Sequence, residues 1–359
     1  MALPTLPAPT GPHTVGATSM YLQDLSRPDP WVPDVPSREL MVSLWYPAAR
    51  AAGPRAPYLT RTESAYALAG ARVPVAPDAL SAVRTHAFVD APLHPDLRDL
   101  PLVVLSPGFT RSRATLTSLG EDLASHGYVA VTIDHTHETA ATVFPDGRVA
   151  AFALGTGWAR TPEFWRAVKT GRARDVSFVL DRLLGCDPPW AGASRLSPGR
   201  IGMAGHSAGG AAVIAAMVAD TRIRAGCNVD GSTDGLIPVT GLDRPFLFLG
   251  RDGQYAPGDG PAADTWAREW PLLTGWKRWL VVAGAKHPSF TDLGLLADQF
   301  GVPLGAAAPG LRVMEITRAC LRAFCDRHLR DVRTAPFDHL YTEHPEVRSC
   351  VPPDDRPGR

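Results

Sequence analysis

A short glycine-flanked serine motif, Gly205-His-Ser-Ala-Gly209, is the strongest chemical signal in the sequence. It has the pattern G-x-S-x-G and lies between a predicted strand (200–204) and a predicted helix (209–219), the context in which this pattern presents a nucleophilic serine. The glycines are needed because the serine occupies a tight, strained turn. The following helix directs its N-terminus at the site, which favours developing negative charge. We predict that Ser207 is a nucleophile; a purely structural turn is the alternative.

A serine hydroxyl becomes a nucleophile when a base removes its proton and an acid orients that base. Among the eleven histidines, His287 closely follows a predicted late strand (279–282), in the segment Gly284-Ala-Lys-His-Pro288. This position agrees with the chain order Ser, acid, His that accompanies the motif. We predict that His287 is the general base, and that His206, beside the serine, packs near the site.

Two aspartates are candidates for the acid. Asp230 follows a predicted strand (223–229), and Asp252 follows the next one (245–249). Both lie between Ser207 and His287 in the chain, so both preserve the expected order. The spacing alone leaves the two alternatives open, and the rejected aspartate is expected to be a turn residue, since each precedes a glycine.

Two backbone N–H groups are needed to stabilise the oxyanion of a tetrahedral intermediate. The residue after the nucleophile, Ala208, is predicted to supply one. The loop after an early predicted strand (102–105), in Ser106-Pro-Gly-Phe-Thr110, is predicted to supply the other through Phe109. An ordinary turn between a strand and a helix is the alternative for this loop. The mechanism requires no cofactor and no metal.

Short apolar runs alternate with segments of helical periodicity, which predicts βαβ units and a largely parallel sheet covered by helices on both faces. The fold class is therefore α/β. We predict a loose N-terminal arm (1–12), one domain (13–332) and a C-terminal tail (333–359). The segment 135–163 is the best candidate for a lid or insertion, and its turn Phe144-Pro-Asp-Gly147 separates two short stretches.

The composition excludes several classes of function. The 359 residues include 36 basic and 36 acidic side chains, so the net charge of zero argues against nucleic-acid binding. No stretch is long and apolar enough to span a membrane, and the N-terminus lacks the features of a signal peptide, which predicts a cytoplasmic protein. The five scattered cysteines favour neither a disulfide framework nor a zinc site.

With these residues in place, the chain resembles the platelet-activating-factor acetylhydrolase family of α/β-hydrolases, of the plasma and bacterial lipase-like type. The resemblance extends from about residue 11 to 329 and is carried by several short motifs in the correct order. These motifs are Gly11-Pro-His-Thr-Val-Gly16, Leu44-Trp-Tyr-Pro47, Leu105-Ser-Pro-Gly-Phe109, Leu123-Ala-Ser-His-Gly-Tyr128, Asp134-His135, Gly205-His-Ser-Ala-Gly-Gly210, Asn228-Val-Asp-Gly231 and Lys286-His-Pro-Ser-Phe-Thr-Asp292.

The resemblance implies an α/β-hydrolase fold and favours Asp230 as the acid, with Asp252 kept as the alternative. It implies a serine ester hydrolase that cleaves short to medium acyl esters through an acyl-enzyme, acting on a small-molecule ester or a lipid. Trp158, Phe164 and Trp165 are expected either to wall the acyl site or to pack a helix onto the core. The alternatives are a thioesterase or acyltransferase with the same triad, or a non-catalytic binding module.

Overall fold

The computed structural model describes residues 3–69, 73–155, 157–332 and 336–350, except for the side chains of 336–339. Its strands in chain order are β1 (Thr14–Asp24), β2 (Arg38–Ala48), β3 (Phe88–Val89), β4 (Leu100–Ser106), β5 (Val129–Asp134), β6 (Ala141–Val143), β7 (Val149–Ala151), β8 (Leu196–His206), β9 (Ile223–Val229), β10 (Phe246–Arg251), β11 (Lys277–Val282) and β12 (Val347–Ser349). Its α-helices are α1 (Arg61–Ala69), α2 (Thr117–Ser125), α3 (Pro162–Leu184), α4 (Ala208–Ala219), α5 (Pro261–Glu269), α6 (Asp292–Gln299), α7 (Gly310–Leu329) and α8 (Pro336–Glu343).

One large sheet organises the molecule, with the strand order β12-β11-β10-β9-β8-β4-β5-β2-β1-β3. The strands from β11 to β5 in this order are parallel to one another. β2 joins them antiparallel to β5, and β1 pairs antiparallel with β2 along its whole length. β5 lies on one side of β4, and β8, the next strand of this sheet along the chain, lies on the other side of β4. The strand order therefore reverses between β4 and β8. Open α/β sheets bind their ligands at such a switch point.

Alternating side chains of the central strands pack into two separate cores. Leu102 and Val104 of β4 belong to the cluster that contains α3, α4 and α5, whereas Val103 and Leu105 belong to the cluster that contains α2 and α7. Successive residues of a strand point to opposite faces. The sheet is therefore covered by helices on both faces, as the continuous apolar strands predicted, and it positions loops at the carboxyl ends of β4, β8, β9 and β11.

Both termini differ from the prediction. Residues 3–12 are not loose, because Leu6 is buried and the backbone N–H of Thr10 donates to Asp122. Arg318 also donates to carbonyls of this segment. At the other end, 336–343 form α8, and β12 extends the sheet beside β11. Residues 1–2, 333–335 and 351–359 of the predicted arm and tail lie outside the described residues.

The segment predicted as a lid forms an antiparallel pair, β6 with β7. It packs beside the loop after β4, because Thr110 N–H donates to the carbonyl of Glu138 and the Ala140 N–H donates to the carbonyl of Thr110. The segment thus supports one wall of the site. Opening of this segment stays a prediction.

Candidate active site

The predicted site residues lie at the carboxyl ends of neighbouring parallel strands. Ser207 follows β8, Asp230 follows β9, and His287 begins a single 3-10 turn, His287–Phe290, that follows β11 closely. Phe109 lies in the loop after β4, on the other side of β8. Residues far apart in the chain therefore meet at the switch point of the sheet.

Ser207 occupies a strained backbone conformation, with φ of +57° and ψ of −121°. The turn is tight: a Cβ on Gly209 would lie 2.0 Å from the carbonyl oxygen of Ser106, and one on Gly205 would lie 2.4 Å from the backbone of Gly209. Any other residue at either position would force the turn apart. The glycine pattern is thus a steric requirement for a strand-to-helix turn that presents the serine, and such strain is characteristic of functional sites.

His287 connects the serine and one of the two aspartates. Its Nε2 lies 2.9 Å from the Oγ of Ser207, and its Nδ1 lies 2.5 Å from Oδ2 of Asp230. The carboxyl group of Asp230 is fully buried, whereas 43% of the His287 side chain is exposed. An imidazole held in this way presents Nε2 to the hydroxyl, which is the order of contacts that activates a serine.

Arg251 and a strained backbone hold Asp230 in place. The Arg251 N–H donates to Oδ1 at 2.9 Å, and its guanidinium donates to Oδ2 at 2.8 Å. Asp230 itself has φ of +56°. Asp252, the alternative acid, lies elsewhere: its Oδ1 accepts a hydrogen bond from Arg348 at 2.6 Å. Sequence reasoning missed that Arg251 holds the carboxylate of Asp230. Its position at the end of β10, immediately before Asp252, was the signal that could have placed it at this edge of the sheet.

The two predicted oxyanion donors lie on either side of the serine. A Cβ built on Gly108 would lie 3.4 Å from the Cβ of Ser207, so the loop after β4 approaches the serine closely. Within the described part of the chain, the N–H groups of Phe109 and Ala208 donate no hydrogen bond to a protein group. Two unpaired N–H groups beside a serine are available to a ligand oxygen.

His206 lies directly beneath His287. The two rings are 4.5 Å apart, and Nε2 of His206 lies 2.7 Å from the carbonyl oxygen of His287. Burial, reinforced by the neighbouring His287, lowers the pKa of His206 well below 6.5, so this ring is neutral at pH 7. It packs beneath the site as predicted, and its hydrogen bond fixes the backbone that carries His287.

A buried network of charges lies beneath the loop after β4. Arg172 of α3 donates to the carbonyl of Pro107 and, at 2.8 Å, to Glu138. His135 lies 2.9 Å from the hydroxyl of Ser106 and 2.8 Å from the carboxylate of Asp175.

The carboxylate of Asp175 is the centre of this network. Arg38 donates to both of its oxygens, and Arg27 donates to one of them. Burial acts to raise the pKa of Asp175, but the charge of Arg38 and the hydrogen bond from His135 outweigh it and hold the pKa well below 3.8. The loop that carries Phe109 is therefore anchored to fixed charges.

Aromatic side chains form a wall around the proposed oxyanion donors. The cluster that includes Ala208 contains six aromatic members, namely Trp31, Phe109, Phe152, Phe164, Trp165 and, through its ring contacts, Trp158. The Phe109 ring lies 5.3 Å from that of Trp165, and the Arg160 guanidinium lies 4.8 Å from the centre of the Phe109 ring. Phe164 is buried, whereas Trp158 is 40% exposed. Phe164 thus packs α3 onto the core, and a role of the more exposed rings as a wall of the acyl site stays a prediction.

One group of potential metal ligands occurs among the described residues, and it belongs to this site. Atoms of His206, Asp230 and His287 lie within 4.8 Å of one another. The ligating atoms of Asp230 and His287 already bind each other, Arg251 and Ser207. These hydrogen bonds account for the cluster.

Comparisons with known proteins find similar esterases. A family model described as platelet-activating factor acetylhydrolase, isoform II, matches residues 3–151. The solved ferulic acid esterase from Streptomyces cinnamoneus is 40% identical, with a TM-score of 0.87 over 98% of this chain and 100% of that one. A probable 1-alkyl-2-acetylglycerophosphocholine esterase from Arthroderma benhamiae is 29% identical over 91% of this chain and 86% of its own length. Cutinase 2 from Thermobifida cellulosilytica is 33% identical over 108 residues, 30% of each chain.

The fold and its relatives define an α/β-hydrolase that acts on carboxylic ester bonds, which confirms the predicted fold and enzyme class. Within this class, the chain belongs to the platelet-activating-factor acetylhydrolase family. Among the described helices, none is sufficiently long and apolar to cross a membrane.

Proposed function

We propose that Ser207, His287 and Asp230 form the catalytic triad of an esterase that works through an acyl-enzyme. The observation that carries this proposal is the continuous hydrogen-bonded series from Ser207 Oγ through His287 to Asp230. A hydroxyl, an imidazole and a buried carboxylate in this order form the arrangement that generates a nucleophilic serine.

In the proposed reaction, Oγ of Ser207 attacks the ester carbonyl carbon and its proton moves to Nε2 of His287. Asp230 holds the imidazole and stabilises the imidazolium. The N–H groups of Phe109 and Ala208 bind the oxyanion. The bond to the alcohol oxygen then breaks and that oxygen takes the proton from His287. Water, deprotonated by His287, attacks the acyl carbon and releases the acid and the free serine.

We infer that the acyl part is a short to medium chain or an aromatic acid. The aromatic candidate is supported by the cluster around Phe109 and Ala208, in which Trp158 and Trp165 retain accessible surface. Flat aromatic groups pack well on such rings, in edge-to-face or offset arrangements. The Streptomyces relative is described as a ferulic acid esterase, which agrees with an aromatic acyl group.

The proposal is tested by hydrolysis of p-nitrophenyl esters from acetate to palmitate, and of methyl ferulate, by wild type and Ser207→Ala. We expect turnover to fall by a factor on the order of 10³ or more, because loss of the nucleophile leaves only binding and oxyanion stabilisation. An unchanged circular dichroism spectrum controls for folding. Full activity in Ser207→Ala would refute the triad. Preferential transfer of the acyl group to an added alcohol would favour an acyltransferase instead.

A further inference from the structure

An apolar cavity of about 440 Å³ opens next to the proposed triad and has no role in the mechanism above. Its volume is within the ~300–1,000 Å³ range of small-molecule pockets. Its walls come mainly from α1, the segment 73–80 and α6 with the residues that follow it, and they include Leu59, Leu68, Val75, Leu80, Leu296 and Phe300. Among the described lining residues Arg111 is the one charged side chain.

Chain neighbours of two proposed site residues line the cavity, which places it beside the reaction centre. Pro288, the residue after His287, lines it, and so does Thr110, the residue after Phe109. The side chain of Arg111 also lines it, and a Cβ on Gly108 would be 3.4 Å from both Arg111 Cγ and Ser207 Cβ. A group bonded to Ser207 therefore lies within reach of the cavity mouth.

The chemistry of the proposed reaction assigns each half of the ester to one side of the serine. The alcohol oxygen must receive the proton held on His287 Nε2, so the alcohol part lies on the side of His287. The acyl part remains bonded to Ser207, with its oxygen at the N–H groups of Phe109 and Ala208. The aromatic cluster contains both Phe109 and Ala208, whereas Pro288, the residue after His287, lines the apolar cavity.

We propose that this cavity binds the alcohol part of the substrate and selects an uncharged aliphatic chain. The inference rests on the proposed function, because it uses the direction in which the leaving group departs. Largely apolar walls with a single charged side chain among the described lining residues favour a chain without charges of its own, since a buried unpaired charge is strongly disfavoured. When the ester bond breaks, the alcohol takes its proton from His287 and leaves from this cavity.

A wall shared with a neighbouring cavity sets a limit on the chain. Tyr58 and Leu59 line this cavity and also a second one of about 560 Å³, so they separate the two. Both side chains are buried. We expect kcat/KM to rise by roughly threefold to fourfold for each methylene added to the alcohol, and to level off when the chain reaches this wall.

The test compares two ester series on variants that fill the cavity. Ala67 of α1 and Ala297 of α6 line the cavity and are half-buried, so Ala67→Phe and Ala297→Phe place a ring inside it. Ala65 of α1 is equally half-buried but does not line it, so Ala65→Phe is the matched control. The alkyl acetates from ethyl to octyl vary the alcohol, and p-nitrophenyl esters from acetate to octanoate vary the acyl group. Thermal denaturation of each variant checks its folding.

We expect both cavity variants to hydrolyse ethyl acetate like wild type and to lose at least tenfold in kcat/KM on octyl acetate. Their profile over acyl length should be unchanged, and Ala65→Phe should match wild type in both series. A loss on p-nitrophenyl octanoate with the alkyl acetates unaffected would assign the cavity to the acyl group and overturn the inference. No change in either series would also overturn it. Hydrolysis of octyl acetate that persists in Ser207→Ala would instead refute the proposed function.

Discussion

At the scale of the residue, the two candidate acids differ in their partners rather than in their spacing. Asp230 is buried and binds His287, whereas Asp252 binds Arg348, a residue near the C-terminal end of the described chain. Both follow neighbouring parallel strands and precede a glycine, so the sequence pattern alone could not separate them. The resemblance to the family favoured Asp230, and the hydrogen bond to His287 supports that assignment.

The first prediction compares Asp230→Asn with Asp252→Asn. An amide at 230 retains the size of the side chain but favours the wrong imidazole tautomer, so we expect kcat to fall by about 10⁴-fold. Asp252→Asn should retain nearly all activity, because only an exposed ion pair is weakened. Steady-state kinetics with p-nitrophenyl butyrate provide the measurement. The reverse pattern would show that Asp252 is the acid.

The sequence predicted which residues the structure brings together more completely than it predicted how they are held. Ser207 and His287 follow from a motif and a chain order, because steric demands on the turn leave a local pattern. The hydrogen bonds from Arg251 to Asp230 and from His206 to the backbone of His287 join distant parts of the chain. Such contacts leave no local pattern, so the structure was needed to find them.

At the scale of the element, the loop after β4 is held by helix α3 through Arg172. This side chain is 1% exposed and donates to Pro107, two residues before Phe109. A second partner of Arg172, Glu138, accepts a hydrogen bond from Trp31 and, through its backbone carbonyl, from Thr110. The direction of the Phe109 N–H thus depends on a buried ion pair in another element.

We predict that Arg172→Lys lowers kcat by on the order of 10- to 100-fold with little change in KM, because a small displacement of the loop misplaces the oxyanion donor. Arg27→Lys is the control, since Arg27 binds Asp175 in the same network but does not contact the loop. Both variants are expected to lose stability, so a kcat loss confined to Arg172→Lys distinguishes positioning from a general structural role. Equal kcat values in the two variants would contradict the prediction.

Elements with a strong local signal were predicted, and elements that depend on pairing were not. The predicted strand 223–229 coincides with β9, and the predicted helix 209–219 differs from α4 by one residue. β1, by contrast, contains small and polar residues and is stabilised by pairing with β2 over eleven positions. β12 lies at the sheet edge with two exposed residues. Tertiary pairing of this kind has no periodic signature in the sequence.

At the scale of the whole molecule, two buried carboxyl groups make stability depend on pH. Burial raises the pKa of Glu121 in α2 to about 7, and that of Asp292 at the start of α6 to about 7. One oxygen of Glu121 accepts hydrogen bonds from the N–H groups of His86 and Ala87, and the other has no partner within the described residues. The folded state therefore binds these protons more tightly than the unfolded state.

Folding raises the pKa of Glu121 from 4.5 to about 7. The contribution of this raised pKa to the free energy of unfolding is therefore present in acid and is lost as the pH rises from 4.5 to 7. We predict that Glu121→Gln, which stays neutral, gains stability relative to wild type over this range. The difference in free energy of unfolding between the two should increase by on the order of 1–3 kcal/mol from pH 5 to pH 8. Urea denaturation at both pH values measures it, with Glu315→Gln, an exposed site on α7, as control. A difference that does not change with pH would contradict the prediction.

The proposed mechanism requires that Ser207 carries the acyl group during turnover. Wild-type enzyme and Ser207→Ala are mixed with p-nitrophenyl butyrate, quenched with acid within milliseconds, digested and analysed by peptide mass spectrometry. We expect a butyryl adduct on the wild-type peptide that contains Ser207, formed before steady-state release of acid, and no adduct in Ser207→Ala. An adduct on a different residue, with equal turnover in the two proteins, would contradict it.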